Sequence, residues 1–207
     1  MLKGIIFDFD GVIVESVQVK SNAFAEIYKP YGPEIVKKVI NHHEANGGMP
    51  RFEKFQFYHK SLLNKPITEK EISAMSRKFS NLVVKKVIDA SYVPGASDYI
   101  KKSYDLYKLF ISTGTPTDEI RKILAGRKIT KYFTEVFGSP EKKTIHVKNI
   151  LKKYNLKPNE LIFYGDSNSD MQAAHHHNVP FILRLHQINR KHFGNYTSQT
   201  IENFLSI

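Results

Sequence analysis

Asp8 and Asp10 stand two residues apart at the end of an apolar run, in the segment Asp8-Phe9-Asp10-Gly11. Side chains two apart in an extended segment point the same way, so both carboxylates leave one edge of a sheet together. Acids this close repel, and the pair calls for a proton or a cation between them. An Asx-rich turn after a strand is the plain alternative, and this motif alone does not separate the two. A second acidic loop, Gly165-Asp166-Ser167-Asn168-Ser169-Asp170, follows the apolar run LIFY. Asp170 is expected in the first turn of a helix, where a carboxylate is favourable in itself. That explanation does not cover Asp166, Asp8 and Asp10 meeting at the same edge. An all-oxygen donor set with no His or Cys nearby suits Mg2+ better than zinc.

Two further loops belong with these. Phe110-Ile-Ser-Thr-Gly-Thr-Pro116 runs from a strand into a turn rich in hydroxyls and glycine, a cradle for an anion ahead of a helix; Ser and Thr also serve as ordinary caps. Gly138-Ser-Pro-Glu-Lys-Lys-Thr144 brings lysines after a short strand, where one could offset the carboxylates. Four loops, each after a strand, thus deliver acid, hydroxyl, base and acid in that order.

The elements that position these loops can be read from apolar spacing. Leu2–Phe9 is expected to be a fully buried strand. A helical stretch follows, with apolar residues at Val17, Phe24, Ile27 and Tyr28. Thr68 and Glu71 form a capping box opening a helix whose stripe is Ile72, Met75, Phe79, Leu82 and Val83. After Val93-Pro-Gly95 strands and helices alternate. Strands are expected at Leu106–Ser112, Phe133–Phe137, Leu161–Tyr164 and Phe181–Leu183. Helices are expected at Pro116–Leu124, about Lys143–Tyr154 and Ser169–His177, and the last dozen residues read as a short strand or turn and a terminal helix. The fold class is α/β: a Rossmann-like, mostly parallel sheet with helices on both faces, formed by 1–15 and 92–207. The helical block 16–91 is inserted after the first strand as a small cap, at the strand edge where open α/β sheets bind ligands.

The 207 residues carry 31 Lys and Arg against 20 Asp and Glu, a formal charge of +11. The basic residues are spread as pairs, which fits a solvated face better than a nucleic-acid tract. No apolar run is long enough for a bilayer, and the chain enters a core strand at once, so no signal peptide is expected. With no cysteine there is no disulfide framework or thiolate zinc site. A cytoplasmic protein, monomer or homodimer, is the expectation, without membrane or nucleic-acid partners.

DFDGVIVES, ISTGTP, GSPEKK and GDSNSD resemble the four ordered motifs of the haloacid dehalogenase superfamily. The similarity extends over essentially the whole chain and is to the branch with a small helical cap, which includes phosphoglycolate-phosphatase-like enzymes and β-phosphoglucomutase. The resemblance implies an Mg2+-dependent phosphatase acting on a small phosphorylated metabolite through an aspartyl-phosphate. It makes Asp8 the nucleophile and Asp10 the general acid/base. Thr113, with Gly114, would hold the phosphoryl group, and Ser112 takes that place if the register is off by one. Lys143 would bridge nucleophile and phosphate, with Lys142 as its rival. The metal would be held by Asp8, the Asp10 carbonyl and Asp166, with Asp170 in support. The acid two residues after the nucleophile argues against dehalogenation. A phosphomutase is the alternative within enzymes; a basic binding protein is the alternative outside them, and steep loss of binding with salt would mark it.

In the inserted block, Gly47-Gly48 reads as a turn followed by Arg51 and Lys54 at helical spacing. Arg51, with His43 and Lys54 beside it, is expected to bind an anionic or polyhydroxyl leaving group, since a guanidinium grips anions bidentately. The competing reading is a hinge with solvated charges. His175-His176-His177 reads as surface, because successive helical positions cannot all face one ion. Phe52, Phe55, Phe57 and Tyr58 are expected in the cap core.

Overall fold

The computed structural model describes residues 1–205 and 207. Six strands form one parallel sheet: β1 (Gly4–Phe7), β2 (Lys108–Pro116), β3 (Glu135–Ser139), β4 (Leu161–Gly165), β5 (Phe181–Arg184) and β6 (Thr200–Ile201). Their spatial order is β3-β2-β1-β4-β5-β6. Chain direction across the sheet reverses beside β1, and a crevice opens at the carboxyl ends of strands at such a switch. The register fixes what meets there. Phe7 is level with Ile111 of β2 and Tyr164 of β4, so the residues after each strand emerge on one edge.

Alternation along β1 splits its side chains between two cores. Ile5 and Phe7 pack with α5 (Ala96–Tyr104) and α6 (Thr117–Gly126); Ile6 packs with α7 (Lys143–Lys153) and α8 (Asn168–His176). Helix α5 was not anticipated. Its short sequence, ASDYIKKSY, buries only Ala96, Ile100 and Ser103, too few positions to show a long stripe. The expected terminal helix does not form over Glu202–Leu205, and its Ser206 lies outside the described residues. There Phe204 packs against Phe7, Tyr99 and Tyr164 instead, and its backbone N–H donates to the Pro94 carbonyl.

Between β1 and α5 lie four helices: α1 (Val17–Tyr28), α2 (Pro33–Ala45), α3 (Arg51–Phe57, continued by a π-helical turn over Tyr58–Leu62) and α4 (Glu69–Asp89). The capping box opens α4 as expected, with Glu71 N donating to Thr68 Oγ1 and Thr68 N to Glu71 Oε2. The aromatic residues Phe24, Tyr28, Phe55, Tyr58 and Phe79 form the centre of the block. Phe57 is the exception among the expected core aromatics: it is exposed and stacks on His42 at 4.1 Å. The block is fastened to the sheet layer at its base, where Arg127 Nη1 donates to the carbonyls of Val87, Ile88 and Ala90 at the end of α4. A guanidinium at a helix C-terminus satisfies carbonyls that have no partner within the helix.

Candidate active site

Asp8 follows β1 and is 2% exposed. Its Oδ1 accepts from Phe9 N at 2.6 Å and its Oδ2 lies 2.9 Å from Lys143 Nζ. Lys143 opens α7, is buried, and also reaches Asp170 Oδ1 at 2.5 Å. Lys142 is exposed at the N-cap, so of the two candidate lysines only Lys143 meets the acids. The hydroxyl pair resolves in the same way. Ser112 Oγ is 2.9 Å from His146 Nδ1, within the layer under α7, whereas Thr113 and Gly114 line the pocket over Asp8.

Asp166, after β4, and Asp170, in the first turn of α8, complete a cluster with Asp8 in which one carboxylate oxygen from each lies within 4.8 Å of the others. Ser167 and Asp170 cap α8 reciprocally, which explains why Asp170 points back toward the strand end. Burial pushes the Asp8 carboxyl up to about 7, against Lys143, with Asp170 and Asp10 adding to the rise. Asp166 and Asp170 are also raised, again mainly by burial. Lys143 reaches two of these three buried carboxylates, so the cluster is short of positive charge, and its oxygen-only donor set fits a hard divalent cation.

Asp10 behaves differently. Its Oδ1 accepts from Ser16 Oγ at 2.6 Å, and its Oδ2 from Lys20 Nζ at 2.5 Å and Thr115 Oγ1 at 3.1 Å. Burial alone would raise its carboxyl, but the Lys20 ammonium and these hydrogen bonds hold it below its ordinary value. Its carboxylate lies outside the three-acid cluster. Lys20 was not foreseen, although a signal existed: it sits three residues after Val17 and four before Phe24, a charge on the inward stripe of α1.

The inserted block closes over these groups. Ser169 Oγ donates to the Gly47 carbonyl at 3.3 Å. Gly48, at φ +75°, lies so near Gly114 that a Cβ on Gly114 would meet the Gly48 carbonyl oxygen at 2.4 Å. Behind this loop, Lys54 is 2% exposed, with His43 Nδ1 at 2.7 Å and the His43 carbonyl at 3.4 Å. Among the described residues Lys54 pairs with no carboxylate, and burial, then Lys20, lowers its ammonium to about 7. His43 is held well below its ordinary value by burial and by Lys54, so its ring stays neutral beside the lysine.

Arg51 lines the pocket, as the expectation requires, but its guanidinium is also paired within the fold. Its Nη2 pairs with Glu119 of α6, and its Nη1 donates to Ser80 Oγ at 2.9 Å and the Ser76 carbonyl at 3.4 Å. The guanidinium is spent on joining the helical block to the sheet layer. His175 and His176 are exposed as expected, while half-buried His177 reaches the Thr144 carbonyl at 2.8 Å.

The sequence model of haloacid dehalogenase-like hydrolases matches residues 5–184. A phosphoglycolate phosphatase of Haemophilus influenzae (strain 86-028NP) is 25% identical over 180 residues, covering 82% of this chain and 79% of that protein. Among solved structures, CbbY from Rhodobacter sphaeroides in complex with phosphate superposes with a TM-score of 0.79 at 16% identity, covering 100% of this chain and 96% of that one. β-Phosphoglucomutase from Clostridium difficile gives 0.77 at 19% identity, covering 99% and 92%. No helix among the described residues is long and apolar enough to cross a membrane. The match over most of the chain, on the fold and strand-edge loops just described, makes this protein a member of the haloacid dehalogenase-like hydrolase family.

Proposed function

We propose that the protein is an Mg2+-dependent phosphatase that hydrolyses a small phosphate monoester through an aspartyl-phosphate on Asp8. The observation that carries this reading is the buried Asp8, 2.9 Å from Lys143, at the floor of a pocket that Asp10 and Thr113 also line. The family membership and the similarity to phosphoglycolate phosphatases support it.

Asp8 Oδ forms a bond to phosphorus as the bond from phosphorus to the leaving oxygen breaks; water then attacks the acyl phosphate and restores the carboxylate. Lys143 offsets the repulsion between two anions, and Thr113 with the backbone beside Gly114 holds the phosphoryl oxygens. Mg2+, held by Asp8 and Asp166 with Asp170 in support, would add positive charge against the phosphoryl oxygens. Asp10 gives its proton to the leaving alcohol and later takes one from water. The Lys20 contact favours the base form of Asp10, so the first step needs Lys20 to let go. An anion on the substrate, drawn by Lys20 and Lys54, would do that.

Residues 16–91 act as the cap that encloses the substrate, and Lys54 with His43 reads the leaving group. A buried ammonium without a carboxylate partner is costly unless an anion or hydroxyl completes it. Arg51 anchors the cap through Glu119 at the edge of the same pocket.

Phosphate release from a panel of phosphorylated metabolites, with and without Mg2+, tests the reading in wild type and Asp8→Asn. Mg2+-dependent release lost in Asp8→Asn is expected. A folded protein that releases no phosphate from any ester would overturn it, and a sugar phosphate isomerised without free phosphate would replace it by a mutase.

A further inference from the structure

Lys143 serves only two of the three clustered carboxylates, Asp8 and Asp170. Asp166 takes a different partner: His186 Nε2 lies 2.9 Å from its Oδ2. His186 belongs to the loop after β5, outside the four acid, hydroxyl and lysine loops, and its side chain is 8% exposed. The loop is built to hold it. Asn189, itself buried, accepts from His186 N on Oδ1 at 2.8 Å, and its Nδ2 donates to the Asp166 carbonyl at 2.8 Å and the Arg184 carbonyl at 2.9 Å. Arg184 Nη1 in turn donates to the Gly11 carbonyl at 3.2 Å. Asp166 is therefore gripped at its backbone by Asn189 and at its carboxylate by His186, and the same loop is tied to the turn that carries Asp10. The fit around Asp166 is close, since a Cβ on Gly11 would come within 2.2 Å of Asp166 Oδ2.

We propose that His186 is a positioning residue for the divalent cation: by holding one oxygen of Asp166 it orients the other toward the cluster and sets the affinity of the site. This rests on the reading of Asp8, Asp166 and Asp170 as a metal site. The physical reason is preorganisation. A carboxylate among like charges turns away from them when nothing restrains it, and the cation must then recover that rotation on binding. An imidazole supplies one directed N–H on a side chain with only two torsions, whereas an ammonium in its place would repel the cation. Outer partners of ligating carboxylates commonly matter to this degree.

Binding of Mn2+ followed by electron paramagnetic resonance, with Mg2+ as competitor, reads affinity without turnover. His186→Ala and His186→Phe are expected to weaken Mn2+ binding by about 10- to 100-fold. His186→Gln, whose amide nitrogen reaches the same place as Nε2, is expected to stay within about threefold of wild type on the same grounds. The Phe variant keeps the ring volume, so comparing Phe with Gln carries the test if Ala fails to fold. Wild-type affinity in folded Ala or Phe variants, or equal loss in Phe and Gln, would overturn the assignment. Asp166→Asn separates the two levels: if it too binds Mn2+ like wild type, the metal site itself is misplaced and the His186 role falls with it.

Discussion

Replacing Arg51 by Met should destabilise the protein strongly, because the structure makes this side chain a buried joint. Arg51 and Glu119 are 5% and 7% exposed, and they pair across the boundary between the helical block and α6. The Met variant loses that pair, the hydrogen bonds to Ser80 and Ser76, and the stacking of the guanidinium 4.5 Å from the Phe79 ring centre. Glu119 keeps Ser80 Oγ as a donor but has no cation left to face. Stranding one partner of a buried ion pair costs about 3–5 kcal/mol. That is a large share of the roughly 5–15 kcal/mol that holds a domain of ordinary stability. Removing both charges, in Arg51→Met with Glu119→Met, should restore stability to within about 1–2 kcal/mol of wild type, since two apolar side chains strand no charge. Urea denaturation of wild type, both single variants and the double variant gives the coupling energy directly. The reasoning is refuted if Arg51→Met costs less than about 1 kcal/mol, the value of an exposed pair. A variant with wild-type stability but a tenfold higher KM would move the guanidinium from the joint to the substrate, since a raised KM reads lost binding energy.

Three further outcomes are expected. Lys54 is lowered to about 7 by burial and Lys20, so above that pH it loses the charge that would hold an anionic leaving group. The ratio of kcat/KM for an acidic over a neutral leaving group should fall through pH 7–9, and Lys54→Met should remove the slope; a flat ratio in wild type would reject the role. Gly114→Ala puts a Cβ 2.4 Å from the Gly48 carbonyl oxygen, and relief of the overlap should cost about 1–3 kcal/mol or lift the 45–50 loop. Proteolysis at that loop and KM should both rise; neither rising would mean the loop does not rest on Gly114.

The same depressed Lys54 also bears on stability. The folded state binds fewer protons than the unfolded state between about 7 and the ordinary lysine value near 10.5. Stability should therefore rise with pH across that window. Denaturation at pH 7 and pH 9.5 should show a smaller rise in Lys54→Met than in wild type.

Much of the site was legible in the chain because parallel strands impose a simple geometry. A buried apolar run followed by an acid, a hydroxyl or a lysine places that group at the strand edge, and four such runs in one sheet bring Asp8, Thr113, Lys143 and Asp166 together. Local chemistry was equally legible: the Thr68 box and the turn at Gly48 depend on neighbours in sequence. What sequence order alone could not decide was which charge meets which. Arg51 and Lys54 sit three residues apart on α3 and both line the pocket, yet Arg51 meets a carboxylate and Lys54 meets His43, because Glu119 is contributed by a helix 68 residues away. Lys20 finds Asp10, and His186 finds Asp166, only after β5 and the helical block have folded against the same edge. Ion pairs and buried hydrogen bonds depend on distance and desolvation, which are properties of the packed chain. Hydrophobic periodicity and strand-end chemistry are properties of the sequence itself.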